Sequence, residues 1–313
     1  MELKEAQSEF LKLIDRVRGA DVAEFLSWIG DSFSTRPPSL GQEQSAEADA
    51  TLFSIVNSLR LKVPSNALLD SEHIIWPEYG TDTDCHPNTT VHVDSFLYDD
   101  DAVEELVEQG VLSRQYCRAC GSHATAPLTF ISHSLSVIQL RFVFQALLTP
   151  EMLGAKTLLD VGSRLGGVLY AAYLYSSGLS RIIGVEMNAE LCAVQRTALS
   201  EFCMTDRVSV ICDDIRNRPD EVAAADVLVL NNVFQFFLPK QEQLQCWQFL
   251  KASVRKGAVL LTSPSLQTLT DHLQLTLDDW VEQVPTESTA AKFAGDDSDH
   301  FDDCSKLFLY QVR

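Results

Sequence analysis

The run from Leu158 to Gly167 constrains the fold of this chain more than any other segment. Its apolar start is followed by Asp160 and by a turn that carries glycines, and an apolar segment with helical spacing comes next. A second apolar run, 181–185, ends in another acid, Glu186. This order is typical of a strand–turn–helix–strand unit, which holds a nucleoside-bearing cofactor at the carboxyl ends of its strands.

Strand and helix patterns alternate from Thr157 to the end of the chain. Such alternation predicts a parallel sheet covered by helices on both faces. The acidic stretch 296–303 is predicted to be a loop without a crossover helix, so the last strand is expected to be antiparallel. We therefore predict an α/β fold, a Rossmann-like doubly wound sheet that is mostly parallel with an antiparallel C-terminal strand. The predicted strands are 157–160, 181–186, 208–212, 226–231, 258–262 and 306–312, and the predicted helices are 166–176, 188–204 and 240–255.

The residues before the sheet predict a mainly helical accessory region over 1–150, with the sheet domain over 151–313. A polar, proline-bearing run over 34–48 is predicted to be a linker, and residues 62–100 are predicted to be irregular. The predicted helices of this region are 1–33, 50–61, 102–110 and 135–148.

Charge and composition limit the classes of partner. A chain of 313 residues with 24 basic and 44 acidic residues carries a net charge of −20. Binding nucleic acid through its own surface needs a basic patch, so direct contact with nucleic acid is disfavoured. The charge suits a basic protein partner, although an acidic surface also simply keeps a protein soluble.

The apolar runs and the cysteines bear on location. The longest apolar runs have the length of strands, so no membrane span is expected. The first residues are charged and lack the core of a signal peptide. We therefore expect a cytoplasmic or nuclear protein whose eight cysteines are mostly free thiols.

Acids at three consecutive strand ends predict the cofactor site. Gly162 allows a sharp turn and a close approach to a ligand, because it has no Cβ. Asp160 is suited to organise the turn or to accept a hydrogen bond from an ammonium group. Glu186 is placed to accept two ribose hydroxyls, as a carboxylate does in dinucleotide sites. A dehydrogenase fingerprint would have a glycine at position 164, where this chain has arginine.

The order Asp-x-Gly-x-x-x-Gly, followed by these acids, resembles the motifs of class I S-adenosylmethionine-dependent methyltransferases. The resemblance implies S-adenosylmethionine as the cofactor, and it implies that an acid after the third strand, best matched by Asp214, receives the adenine amino group. The candidate cofactor-binding residues are Asp160, Gly162, Ser163, Gly166, Glu186, Asp213, Asp214 and Asn231.

The end of the fourth strand carries two amides and then aromatic residues. Asn231 and Asn232 are suited to orient an incoming amine, and an aromatic face such as that of Phe234 can contact a sulfonium. With Asp160-Val161-Gly162-Ser163, Gly184-Val185-Glu186 and Asp213-Asp214-Ile215, they resemble the non-SET histone lysine methyltransferases of the disruptor-of-telomeric-silencing type. That resemblance implies N-methylation of a protein lysine, with Asn231 and Asn232 bordering the transfer channel. The candidate catalytic residues are Asn231, Asn232 and Phe234.

The chain departs from that family at two places, which leaves two alternatives open. Arg164 replaces the second glycine of the turn, and the aromatic residues fall at Phe234 and Phe236. A side chain at position 164 is compatible with a catalytically inactive domain that binds a cofactor or a partner protein. A small-molecule or RNA methyltransferase would share the same fold.

A Cys-x-x-Cys sequence predicts a structural zinc site. Cys117 and Cys120 form the knuckle, with His123 three residues later and Cys85-His86 upstream. Two thiolates with a distant Cys or His pair can complete a tetrahedral zinc site. The favoured set is Cys85, Cys117 and Cys120 with His123 or His86, and the alternative is free thiols.

Overall fold

The computed structural model describes residues 40–78, 82–117 and 125–313. Contacts divide the chain into two units, 1–49 and 50–313. Of the first unit, the structure describes only the helical residues 40–49. The predicted helix over 1–33 lies outside the described residues.

The second unit contains a seven-stranded sheet with the order β10-β11-β9-β8-β5-β6-β7. Five neighbouring strands, from β9 to β7, are parallel, and β11 lies antiparallel to both β9 and β10. The mostly parallel Rossmann-like sheet with an antiparallel C-terminal strand is thus confirmed. The strands are β5 (Thr157–Val161), β6 (Arg181–Glu186), β7 (Val208–Cys212), β8 (Val227–Asn231), β9 (Val259–Ser263), β10 (Val281–Val284) and β11 (Phe308–Val312).

Helices flank both faces of the sheet. The alternation of side chains along β5 shows why: Leu158 belongs to one apolar cluster and Leu159 to the other, and both are fully buried. A strand that is apolar at consecutive positions has to be covered on both faces. The helices of the sheet region are α5 (Gly167–Tyr175), α6 (Ala189–Glu201), α7 (Pro219–Ala224), α8 (Lys240–Ser253), α9 (Leu266–Thr270), α10 (Glu287–Ala294) and α11 (Ser298–Ser305).

Short strands accompany the helices ahead of the sheet, so the region predicted to be irregular is partly ordered. β1 and β4 pair in parallel, and β2 and β3 form an antiparallel pair. The elements are α1 (Leu40–Arg60), β1 (Thr90–His92), α2 (Asp100–Glu108), β2 (Gln115–Cys117), β3 (Thr125–Pro127), β4 (Thr129–Ile131), α3 (Val137–Phe142), continued as a π-helix (Val143–Leu147), and α4 (Pro150–Leu153).

Two loop predictions were wrong. The end of the predicted linker 34–48 is helical, because its prolines precede Leu40 and the following Gln, Glu and Ala residues favour a helix. The acidic stretch before the last strand contains α11, whose first turn is capped by Asp297, which accepts a hydrogen bond from His300 N. Cys304 anchors that helix in the core, so the aspartates can remain at its surface.

Among the described residues, no helix combines the length and the apolar character that a membrane span requires.

Candidate functional site

A cavity of about 340 Å³ lies at the carboxyl ends of the central parallel strands. Residues at or just beyond the ends of four different strands line it: Gly162 after β5, Asp214 after β7, and Glu186 and Asn231 at the ends of β6 and β8. The chain runs outward from β5 to β6 on one side, whereas β8 pairs with β5 on the other. The cavity therefore occupies the topological switch point, where open α/β sheets bind their ligands.

Gly162 makes the turn after β5 with φ +74°. Its N–H donates to the carbonyl of Val185, 2.8 Å away. A Cβ at this position would lie 2.5 Å from Cγ2 of Val233. The turn therefore brings the backbone of Gly162 against the side chain of Val233, so a larger residue at this position requires Val233 to shift.

Glu186 presents a buried carboxylate to the cavity. Its Oε1 accepts a hydrogen bond from Asn188 N at 2.8 Å, and its Oε2 accepts one from Arg164 N at 2.9 Å. Burial raises the pKa of Glu186, and these two N–H groups act in the opposite direction. Since each carboxylate oxygen can accept a second hydrogen bond, the group retains acceptor capacity toward a ligand.

Arg164 is held in the cavity wall by a segment that precedes the sheet. Its Nη1 lies 2.5 Å from Glu72 Oε1, and its Nη2 donates to the carbonyl of Ala67 at 2.7 Å. The guanidinium also lies 5.6 Å from the ring centroid of Phe237. The positive charge of Arg164, which stands where the motif has its second glycine, is thus neutralised by the carboxylate of Glu72.

The segment 64–78 contributes a wall that the sequence did not reveal. Ser71, Glu72 and His73 line the cavity. Ser71 Oγ accepts a hydrogen bond from Asn188 Nδ2 at 2.9 Å, and Ile75 N donates to the carbonyl of Phe236 at 2.7 Å. The polar, irregular composition of the segment carries no periodic signal that would have placed it here.

Asp213 and Asp214 line the cavity, and arginines pair with both. Asp214 Oδ2 lies 2.6 Å from Arg216 Nη2, and Asp213 Oδ2 lies 2.5 Å from Arg218 Nη2. The hydrogen bond from Asn217 and the Arg218 contact lower the pKa of Asp213. At Asp214 burial opposes ionisation, but the bonds from Arg216 prevail and lower its pKa.

Three predicted cofactor residues, Asp160, Ser163 and Gly166, lie in or next to the turn. None of the three is among the described residues that line the cavity. Ser163 Oγ donates to Gln195 Oε1 at 2.8 Å, and Gly166 begins α5 with φ +84°. Burial, and next the charge of Glu186, raise the pKa of Asp160 to about 8.

At the end of β8, Asn231 and Phe234 line the cavity. Asn231 Nδ2 donates to the carbonyl of His133 at 3.2 Å. Asn232 has φ +42° and is not among the described residues of the lining. Its side chain hydrogen-bonds to Asp82 instead. The two neighbouring amides thus face different surroundings.

Two buried histidines meet beside this strand end, although 41 positions separate them. His92 Nδ1 and His133 Nε2 are 3.0 Å apart. His92 ends β1 and His133 follows β4, so the parallel pairing of these short strands brings them together. Burial lowers the pKa of His92 and holds that of His133 well below its usual value. No sequence signal linked these two residues.

The predicted zinc ligands lie largely outside the described residues. Cys120 and His123 are among the residues that are not described, and the side chain of Cys117 is not described either. Cys85 is buried, and burial raises its pKa. Within the described part of the chain, no group of three or more His, Cys, Asp or Glu side chains is placed to hold a metal ion.

Comparisons with known proteins found likeness only among solved structures. No family model and no curated protein matches the chain. An RNA methyltransferase from Salinibacter ruber in complex with S-adenosyl-L-homocysteine is 16% identical over 57% of this chain and 92% of its own, with a TM-score of 0.36. An O-methyltransferase from Bacillus cereus, also with this ligand, is 16% identical over 69% and 92%, with a TM-score of 0.38.

A methyltransferase from Geobacter sulfurreducens is 16% identical over 56% of this chain and 77% of its own, with a TM-score of 0.38. These similar structures are methyltransferases, and none of the three is described as acting on histone lysine. At TM-scores this low the likeness carries no argument about cofactor or substrate. Those assignments depend on the geometry of the cavity.

Proposed function

We propose that the chain binds S-adenosylmethionine in this cavity and transfers its methyl group to an acceptor. The observation that carries the proposal is Glu186, a buried carboxylate with remaining acceptor capacity beside the Gly162 turn. A carboxylate at this strand end is suited to the two hydroxyls of a ribose.

The other cavity residues fit the remaining parts of such a cofactor. Ile215 and Phe234 provide apolar contacts for an adenine ring, and Asp214 is the acid proposed to accept its amino group. Phe237 offers an aromatic ring to the cationic sulfonium. The bound cofactor supplies an activated methyl group, and the chain aligns the acceptor with it and excludes water.

The alternative of an inactive domain was based on Arg164. Its guanidinium is neutralised by Glu72 and is bonded to the carbonyl of Ala67. The residue therefore serves as part of the wall, and we favour an active enzyme. The net charge of −20 supports a basic protein as the partner. A protein lysine is one class of acceptor that such a methyltransferase could use, and an uncharged O–H or N–H group is the other.

Isothermal titration with S-adenosylmethionine tests the cofactor assignment. Hydrogen bonds to a charged group are worth about 1.5–3 kcal/mol, so Glu186→Gln is expected to weaken binding about tenfold or more. Glu282→Gln is the matched control, because Glu282 lies on β10 with 65% of its side chain exposed. Absence of binding to the unmodified chain at millimolar cofactor would refute the proposal.

Transfer is tested by adding tritiated S-adenosylmethionine and the purified chain to a cell extract. Label in a product identified by mass spectrometry shows turnover and names the acceptor. Cofactor binding without any labelled product would instead support the inactive binding module.

A further inference from the structure

One ring nitrogen of His133 is buried without a hydrogen-bond partner. Among the described residues, no polar atom bonds to its Nδ1. The residue is 7% exposed and lines the cavity. Leaving a buried polar atom unpaired costs about 1–3 kcal/mol, so such an atom in a cavity wall indicates a missing ligand group.

The surroundings of His133 fix the position of its ring. Its Nε2 lies 3.0 Å from His92 Nδ1, and its carbonyl accepts the hydrogen bond from Asn231 Nδ2. Its ring centroid lies 4.9 Å from that of Phe236 and 5.2 Å from that of Phe237, both with edge-to-face geometry. The imidazole ring is therefore held beside the end of β8, where the proposed acceptor binds.

We propose that His133, positioned by His92, removes the proton from an uncharged O–H or N–H acceptor during methyl transfer. The inference deepens the proposed function and depends on it. The acceptor atom forms a bond to the methyl carbon while the sulfur–methyl bond breaks, and the electron pair of that bond stays on sulfur. The acceptor proton moves to Nδ1 of His133, while the proton on Nε2 is donated toward Nδ1 of His92.

The charges that face the pair favour an uncharged acceptor. After burial, Arg164 lowers the pKa of both rings, His92 lowers that of His133, and Glu72, which forms an ion pair with Arg164, acts in the opposite direction on His92. Burial keeps both imidazoles neutral, so His133 is available as a base at neutral pH. An alkylammonium, with an ordinary pKa of about 10.4, is a poor proton donor to such a weak base. A hydroxyl, phenol, amide or aromatic N–H group loses its proton only as the methyl group arrives.

The tautomer of His133 provides a test that needs no substrate. In ¹⁵N-labelled protein, long-range ¹H–¹⁵N correlations at pH 7 are expected to show a neutral ring with its proton on Nε2. A proton on Nδ1 would overturn the inference even if the cofactor binds. The signals are assigned to His133 because they are absent from the His133→Gln variant.

The transfer assay tests the catalytic role directly. General bases contribute about 10²–10⁴-fold, so His133→Ala is expected to lose label incorporation by that factor with an unchanged dissociation constant for S-adenosylmethionine. Added imidazole should restore part of the rate, which a purely structural role would not allow. His300→Gln is the control, since His300 is exposed and lies on α11.

His92 is expected to act through His133. In the unmodified chain, the rate of methyl transfer should decrease with falling pH only below the ordinary pKa of imidazole. His92→Gln should shift the pH at which this decrease occurs. Label in ε-N-methyllysine, or an unchanged rate in His133→Ala, would overturn the inference while leaving the proposed methyltransferase intact. No label from the unmodified chain would overturn the proposed function as well.

Discussion

Arg164 Nη1 and Glu72 Oε1 lie 2.5 Å apart, and the exposed fractions of the two side chains are only 8% and 6%. The pair joins the glycine turn of the sheet to a segment almost a hundred residues earlier in the chain. Its burial makes both partners necessary to each other, because an isolated buried charge is costly.

Removing one partner should therefore cost more than removing both. Glu72→Gln leaves the Arg164 charge buried without its counterion, and we expect a loss of about 3–5 kcal/mol in the free energy of unfolding. Adding Arg164→Gly should recover much of this loss, since it also relieves a residue at φ +42°. Urea unfolding of the two single variants and the double variant measures the coupling. Additive effects would show that the pair contributes nothing.

The contact between Gly162 and Val233 predicts a compensating pair of substitutions. Gly162→Ala places a Cβ 2.5 Å from Val233 Cγ2 and adds the cost of a left-handed conformation, about 1–2 kcal/mol. We expect a lower Tm and weaker binding of S-adenosylmethionine. Val233→Ala should restore part of both, because it removes the clashing methyl and leaves only the backbone cost. A double variant no better than Gly162→Ala would contradict the clash.

The pKa of Asp160 is about 8 in the folded chain against an ordinary value of 3.8. This shift predicts that replacing Asp160 by a residue that cannot ionise stabilises the fold, and increasingly so as the pH rises. Between these values the folded state binds a proton that the unfolded state has lost, so the free energy of unfolding falls as pH rises. Asp160→Asn cannot ionise and escapes this loss. Its Tm should already exceed that of the unmodified chain at pH 5.5, and by more at pH 8, with ~2–4 °C for each kcal/mol. Differential scanning calorimetry at both pH values measures the difference, and an equal Tm at pH 8 would contradict it.

The proposed adenine contact of Asp214 can be separated from its ion pair with Arg216. S-inosylhomocysteine lacks the adenine amino group, so the unmodified chain should bind it about tenfold or more weakly than S-adenosylhomocysteine. Asp214→Asn should lose this discrimination, whereas Asp213→Asn should keep it. Isothermal titration of both ligands provides the measurement. If Arg216 already uses the acceptor capacity of Asp214, the discrimination will be absent from the start.

The central sheet was predictable because its strands are buried on both faces. Continuous apolar runs such as Ile182–Val185 differ from the spaced apolar residues of a helix and from the polar residues at the strand ends, where ligands bind. The edge strand Val281–Val284 was missed, since half of its side chains are exposed and it has only four residues. Periodicity is weakest for short strands at the edge of a sheet.

The cavity walls were predictable only where they are encoded locally. Gly162 directly follows a strand, and Glu186 and Asn231 end theirs, so their positions along the chain imply their positions in space. His92, His133 and Glu72 reach the same cavity through pairings of distant segments, which a single sequence does not reveal. The orientation of Arg164 likewise depends on Glu72, 92 positions away.

Hydrogen bonds attach the segment 71–75 at two points, from Ser71 to Asn188 at the start of α6 and from Ile75 to Phe236 after β8. Because Ser71, Glu72 and His73 line the cavity, a bound molecule would contact a segment that is attached at both ends. Dissociation of the bound molecule would then require this segment to move. Substitutions in the segment should therefore change the dissociation rate constant more than the association rate constant.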